Sequence, residues 1–187
     1  MAEIGEGKVL IFGGDTNKTI DETWIFDFKN NNWTQINSDN HPSRRYNHRM
    51  ARITKNKVMM FGGMWVSSTD LYFYSDTWIF DLETMSWTEM KPSNPPPGRE
   101  DFAMAQLTEN KALVFSGMRG DTLGNYDSYD DTWIYDLRKN AWTRMSIMYT
   151  YKRPNQTEGA LMAQIDTGKV LYYGGWGRKK NGNLGLP

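Results

Sequence analysis

The chain contains no cysteine among its 187 residues. That excludes disulfide staples, thiolate metal ligands and thiol nucleophiles, though it fixes no compartment. Histidine is nearly absent, with only His41 and His48, too few for a multi-histidine metal centre. No apolar run is long enough for a membrane helix. Net charge is missing as well: 22 Lys and Arg balance 22 Asp and Glu. A neutral chain has no electrostatic reason to seek nucleic acid or an anionic membrane, so neither is expected as a partner. Aromatic residues, by contrast, are plentiful at 14%, with eight tryptophans, and most of them fall at recurring positions.

One passage occurs four times, as KVLIFGG (8–14), KVMMFGG (57–63), KALVFSG (111–117) and KVLYYGG (169–175). Three copies are followed by a second signature, ETWIFD (22–27), DTWIFD (76–81) and DTWIYD (131–136). A further tryptophan comes nine residues after each of Trp24, Trp78 and Trp133, at Trp33, Trp87 and Trp142. Self-similarity with a period of about fifty residues is the mark of an array or propeller and takes precedence over local motifs.

Each repeat offers four strand-like stretches, a to d. The first carries Met-Ala, as in 48–53, 102–107 and 160–165; the second is the apolar run ending in glycines; the third is Thr-Trp-Ile-Phe/Tyr-Asp; the fourth holds the later tryptophan. Asn- and Gly-rich segments between them are turn formers. The apolar runs are too short, too aromatic and too rich in β-branched residues for helices. The expectation is an all-β fold of four-stranded antiparallel sheets, one per repeat, packed face to face around an axis.

Structural duties account for most of the recurring residues. The pairs Gly13–Gly14, Gly62–Gly63 and Gly174–Gly175, with Gly117 in the third copy, are expected to supply positive φ and close approach where sheets crowd together. No helix start or Walker lysine-serine follows them, so a phosphate loop is rejected. Trp24, Trp33, Trp78, Trp87, Trp133 and Trp142 are expected to wedge between sheets. The acid and threonine that open stretch c, and Asp27, Asp81 and Asp136 that end it, are expected to bond turn amides. Three sequons, at Asn17, Asn32 and Asn155, are about what chance gives and do not argue for secretion.

Together these residues resemble kelch repeats: a glycine doublet after an apolar strand, an aromatic at fixed distance, then a tryptophan. The kelch pattern also carries an arginine with a histidine three positions on. Arg45 and His48 match it; Arg99 is followed by Phe102 instead, the fourth copy has Thr157 and Ala160, and Ser116 replaces a glycine. The Asp-Thr-Trp variant is similar to the galactose-oxidase-type kelch subset. The resemblance covers essentially the whole chain and implies a β-propeller. Repeats start near 1, 50, 104 and 162, so that Met1 aligns with Met50, Met104 and Met162 inside a strand, and the fourth repeat is incomplete. Three blades and part of another are fewer than a closed propeller needs. The expectation is therefore a segment of a longer propeller, or chains that associate to cover open blade faces. Met1 need not be the natural start, so the lack of a leader says nothing, and a cytoplasmic location is favoured only slightly.

Function is expected on the face that gathers the long, dissimilar b–c loops (15–22, 64–75, 118–130, 176–187) and the variable d–a loops. Trp65, Tyr72, Phe73 and Tyr74 lie in one b–c loop, and Arg119, Tyr126 and Tyr129 in the next, residue types that dominate binding hot spots. They either bind a partner or pack the loops down. Arg45 and Arg99 either line the mouth of a central channel or pair with loop carboxylates in the interior. The acidic stretch 121–131 lacks calcium-loop spacing. The oxidase chemistry that the resemblance brings to mind needs a cysteine joined to tyrosine, and no Glu has an Asp four residues on as in specifier-type iron sites. The reading is a non-catalytic scaffold with a protein partner and no cofactor. A sugar-active or carbohydrate-binding channel is the alternative.

Overall fold

The computed structural model describes residues 1–16, 18–146 and 154–177. Asn17, most of the 146–155 connection and the end of the last b–c loop lie outside them. The described residues are all strand, turn and irregular chain, without helix.

Three four-stranded antiparallel sheets follow one another along the chain. The first contains β1 (Ala2–Gly5), β2 (Lys8–Asp15), β3 (Thr19–Asp27) and β4 (Asn32–Ile36) in sequential order. The second contains β5 (Arg49–Thr54), β6 (Lys57–Phe61), β9 (Thr77–Asp81) and β10 (Ser86–Met90). The third contains β11 (Ala103–Thr108), β12 (Lys111–Phe115), β15 (Thr132–Asp136) and β16 (Ala141–Arg144). A hairpin of β17 (Leu161–Asp166) and β18 (Lys169–Tyr173) begins a fourth. Two short ribbons rise from the long loops, β7 (Met64–Val66) with β8 (Leu71–Phe73), and β13 (Met118–Gly120) with β14 (Tyr126–Ser128). The first strands β1, β5, β11 and β17 contact one another in succession, which puts them along the inner edge of propeller blades.

Alternation along each strand gives every sheet two apolar faces. One core lies between the first and second sheets and joins Leu10, Phe12 and Ile25 to Met60, Phe80 and Trp87. The other lies between the second and third and joins Met59, Phe61 and Ile79 to Val114, Tyr135 and Trp142. In both, a β10- or β16-type tryptophan crosses the interface. The Trp87 ring meets Phe12 edge-on at 5.5 Å and its Nε1 donates to the Thr23 hydroxyl at 2.9 Å. Trp142 packs on Phe61 at 4.8 Å and donates to Thr77 at 3.0 Å. Thr23 and Thr77 therefore receive indoles from the following blade rather than bonding turn amides.

The other tryptophans divide differently. Trp24, Trp78 and Trp133 donate Nε1 to Glu22, Asp76 and Asp131, two residues before each of them. Those acids thus serve indoles, not turn amides. Trp78 is buried, Trp24 and Trp133 are partly so, and Trp33 is 51% exposed. Trp33 is the counterpart of Trp87 and Trp142 on the outer face of the first sheet, where no preceding sheet is present among the described residues.

The glycine pairs occupy tight corners. A Cβ on Gly62 (φ 66°) would stand 2.7 Å from the Arg99 carbonyl oxygen, and one on Gly117 (φ 94°) 2.7 Å from that of Glu100. In each case backbone of an entry loop lies where a side chain would go, that of the following sheet at Gly62 and that of its own sheet at Gly117.

Candidate functional site: the loop face

The long loops meet at one end of the sheets. Bridges join d–a loops to b–c loops at Tyr46 with Met64, Glu100 with Met118 and Glu158 with Trp176. At the opposite end the short turns meet: the amides of Phe28, Leu82 and Leu137 donate to the carbonyls of Gly7, Asn56 and Asn110.

Two identical latches hold the loop face. Arg45, fully buried, donates two hydrogen bonds to the Asp76 carboxylate (2.6 and 2.7 Å), one to the Gly62 carbonyl (3.1 Å) and one to Ser43 (2.9 Å). Arg99, also fully buried, repeats this with Asp131 (2.6 and 3.1 Å), the Ser116 carbonyl (2.9 Å) and Pro97 (3.2 Å). Such forked, charge-assisted contacts use the planar guanidinium fully. The Tyr74 ring covers Arg45 at 3.8 Å, and the Tyr129 ring covers Arg99 at 4.1 Å. Burial raises the Tyr74 hydroxyl pKa above its usual value, and that hydroxyl donates to the Arg44 carbonyl. Burial pushes the Asp131 carboxyl up, but hydrogen bonds and charge from Arg99, with the Trp133 N–H, outweigh it and leave the pKa lowered.

The sequence-selected residues thus fall into two layers. Arg45, Arg99, Tyr74 and Tyr129 form the latches, so neither guanidinium is presented to a channel. Phe73 is half-buried, and its carbonyl seats against Gly98 so closely that a Cβ there would lie 2.1 Å away. The outer layer consists of Trp65, Tyr72, Arg119 and Tyr126. Trp65 and Tyr72 face each other across β7 and β8 and stack with centroids 5.4 Å apart; Tyr72 is 50% exposed. Tyr126 lies opposite Gly120 across the next ribbon, 49% exposed, with Arg119 exposed beside it.

The acidic stretch is occupied by its own turn. Asp121 accepts from the amides of Leu123 and Asn125 and from the Asn125 side chain, which together lower its pKa. Three cross-strand ion pairs, Lys8–Asp27, Lys57–Asp81 and Lys111–Asp136, tie β2-type strands to β3-type strands. They were legible in the sequence, because each of the first three repeats pairs a Lys opening one stretch with an Asp closing the next. The same aspartates also accept turn amides, from Asn30, Glu83 and Arg138.

Comparison with known proteins agrees with this architecture. Residues 1–184 match the family model described as the KLHDC2/KLHL20/DRC7 Kelch-repeats domain. Acyl-CoA-binding domain-containing protein 5 of Arabidopsis thaliana is 26% identical over 180 residues, 95% of this chain and 26% of the relative. Kelch domain-containing protein 1 of Mus musculus is 25% identical over 158 residues, 81% of this chain and 35% of the relative. F-box/kelch-repeat protein At1g51550 of Arabidopsis thaliana is 27% identical over 149 residues, 72% of this chain and 30% of the relative. The chain spans about a quarter to a third of the length of these relatives. With the family model spanning nearly its whole length, the chain belongs to the kelch-repeat family.

Proposed function

We propose that this chain is a non-catalytic interaction module that holds a protein partner on its loop face. Kelch repeats are typically protein-interaction scaffolds. The observation that carries the reading is the stacked Trp65–Tyr72 pair, with Trp65 partly buried and Tyr72 half-exposed, on a ribbon whose base is fixed by the Arg45 latch. A rigid aromatic platform costs little side-chain entropy on binding, and Tyr, Trp and Arg are the anchors that partners exploit. Tyr126 and Arg119 on the neighbouring ribbon extend it with a cation. The competing carbohydrate or enzyme reading drew on channel arginines and carboxylates; the burial and bonding of the Arg45 and Arg99 guanidinium groups favours the scaffold reading over it.

The test is co-precipitation of a partner identified with the native chain, repeated with W65A/Y72A and with R119A/Y126A. Binding should fall at least tenfold with the first pair while the fold is kept, as two hot-spot aromatics are worth about 2 kcal/mol or more each. Unchanged binding by both pairs would remove the loop face as the site. A second copy of the chain is a further partner, because Leu161, Ile165, Leu171 and Tyr173 stand exposed on one face of the β17–β18 hairpin.

A further inference from the structure

The short-turn face is sealed differently at successive blade junctions. Between the second and third sheets, Gln106 Nε2 (3.3 Å) and the Asn110 amide (2.8 Å) both donate to the Ile53 carbonyl. Between the third sheet and the β17–β18 hairpin, Gln164 Nε2 (3.1 Å) and the Gly168 amide (2.7 Å) do the same to Leu107. At the first junction the register of Gln106 and Gln164 is held by Arg52. Arg52 does not cross to Ile4. Its Nε and Nη2 bend back to the carbonyls of Thr54 and Lys55, at 2.6 to 3.2 Å, and the Asn56 amide turns to the Thr54 hydroxyl. Neither sealing bond is made, and a cleft of about 410 Å³ opens between the blades.

Its chemistry is two-sided. Ile4, Ile25, Leu82 and Met85 supply apolar wall, and Lys8, Arg52 and Lys55 stand against Glu6 and Asp27 among the lining residues. Lys8 is committed to Asp27 at 3.7 Å. Arg52 keeps Nη1 for a ligand, its nearest acid being Glu3 at 3.9 Å, which is 67% exposed and screened. Lys55 is exposed with no side-chain partner among the described residues. The volume lies within the range of small-molecule sites, about 300–1,000 Å³.

We propose that this cleft binds a small amphiphilic carboxylate, its aliphatic body against Ile4, Ile25 and Leu82 and its carboxylate on Arg52 and Lys55. The site is on the face opposite the aromatic ribbons, so it stands or falls apart from the partner-binding reading. The probe is octanoate, titrated into the isotopically labelled full chain and followed by amide chemical shifts. Saturable shifts are expected at Gly5, Lys55, Asn56 and Leu82. Octan-1-ol, with the tail but no charge, should bind about tenfold or more weakly, the worth of a charge-assisted hydrogen bond. Acetate, with the charge but no tail, should not saturate. R52Q installs the residue that the next two blades carry at this register, so it keeps the fold; it should weaken octanoate by about tenfold or more by restoring the seal to Ile4. K55A, at an exposed position, should weaken it several-fold. Equal binding of octanoate and octan-1-ol, shifts outside the cleft, or wild-type affinity in both variants would overturn the assignment.

Discussion

Ser116 takes the place that glycine holds in the other three repeats, at φ 63° and fully buried. A non-glycine residue there costs about 1–2 kcal/mol of backbone strain. The hydroxyl offsets that cost: it accepts from the Thr157 amide at 2.8 Å and lies within bonding distance of the Tyr129 and Thr157 carbonyls, which ties the third blade to the fourth. S116A keeps the strain and orphans the amide, so it should lose about 2 kcal/mol in urea unfolding, and S116G should lose about 1 kcal/mol less than that. His48 poses a different problem, since neither ring nitrogen has a partner among the described residues and Phe12 packs against the ring edge-on. Burial, with the nearby positive charges of the amino terminus, Arg45 and Arg49, holds its pKa well below the usual 6.5. A depressed histidine pKa means the folded state favours the neutral ring. Its contribution is complete above 6.5 and is lost as pH falls below that, by up to ~1.4 kcal/mol per pH unit. H48F introduces the residue that the next repeat carries at position 102. Urea unfolding from pH 7.5 to 5 should show a shallower decline for H48F than for wild type, and parallel declines would exclude His48 as the source.

Strand-level features were legible to the degree that they repeat. The β2- and β3-type strands, their glycine corners and the tryptophans were readable because each sheet meets the same packing problem, and a residue fixed by that problem recurs. Repetition did not show which residue each indole would meet. Thr23 and Thr77 read as turn caps because their partners, Trp87 and Trp142, lie 64 and 65 residues away, a separation that no local spacing reveals. The short ribbons β7–β8 and β13–β14 were hidden in loops whose sequences differ. The cleft had a signal in the sequence: one arginine, Arg52, in a column that otherwise holds Glu3, Gln106 and Gln164. W87A and W142A should each lose about 3–5 kcal/mol, while W33A, already half-exposed, should lose under about 1 kcal/mol; equal losses would mean that Trp33 is covered in solution. The latches give a second contrast at this scale. R99A strands the buried Asp131 carboxylate and should cost about 3–5 kcal/mol, whereas R99L/D131L, which removes both charges, should recover part of that loss.

The whole molecule presents its two-faced sheets in a row, so coverage decides its solution behaviour. Faces between successive sheets are closed by the two cores, but Leu161, Ile165, Leu171 and Tyr173 are each more than half exposed on the far side of the β17–β18 hairpin. Alternation puts Leu161 and Ile165 on one side of β17, and Leu171 and Tyr173 on one side of β18, so the four form one surface rather than scattered side chains. Contiguous apolar surface of this kind marks an association site. The chain should therefore show a mass by light scattering that rises with concentration above the 21.7 kDa of one copy. I165E/L171E places two like charges on that surface, far from both cores, and should return the mass toward one copy without lowering the unfolding midpoint. A constant single-copy mass for the wild-type chain would show that the surface is covered in solution. An oligomer indifferent to I165E/L171E would move the contact to the opposite end, where Trp33 stands 51% exposed and W33A becomes the deciding variant.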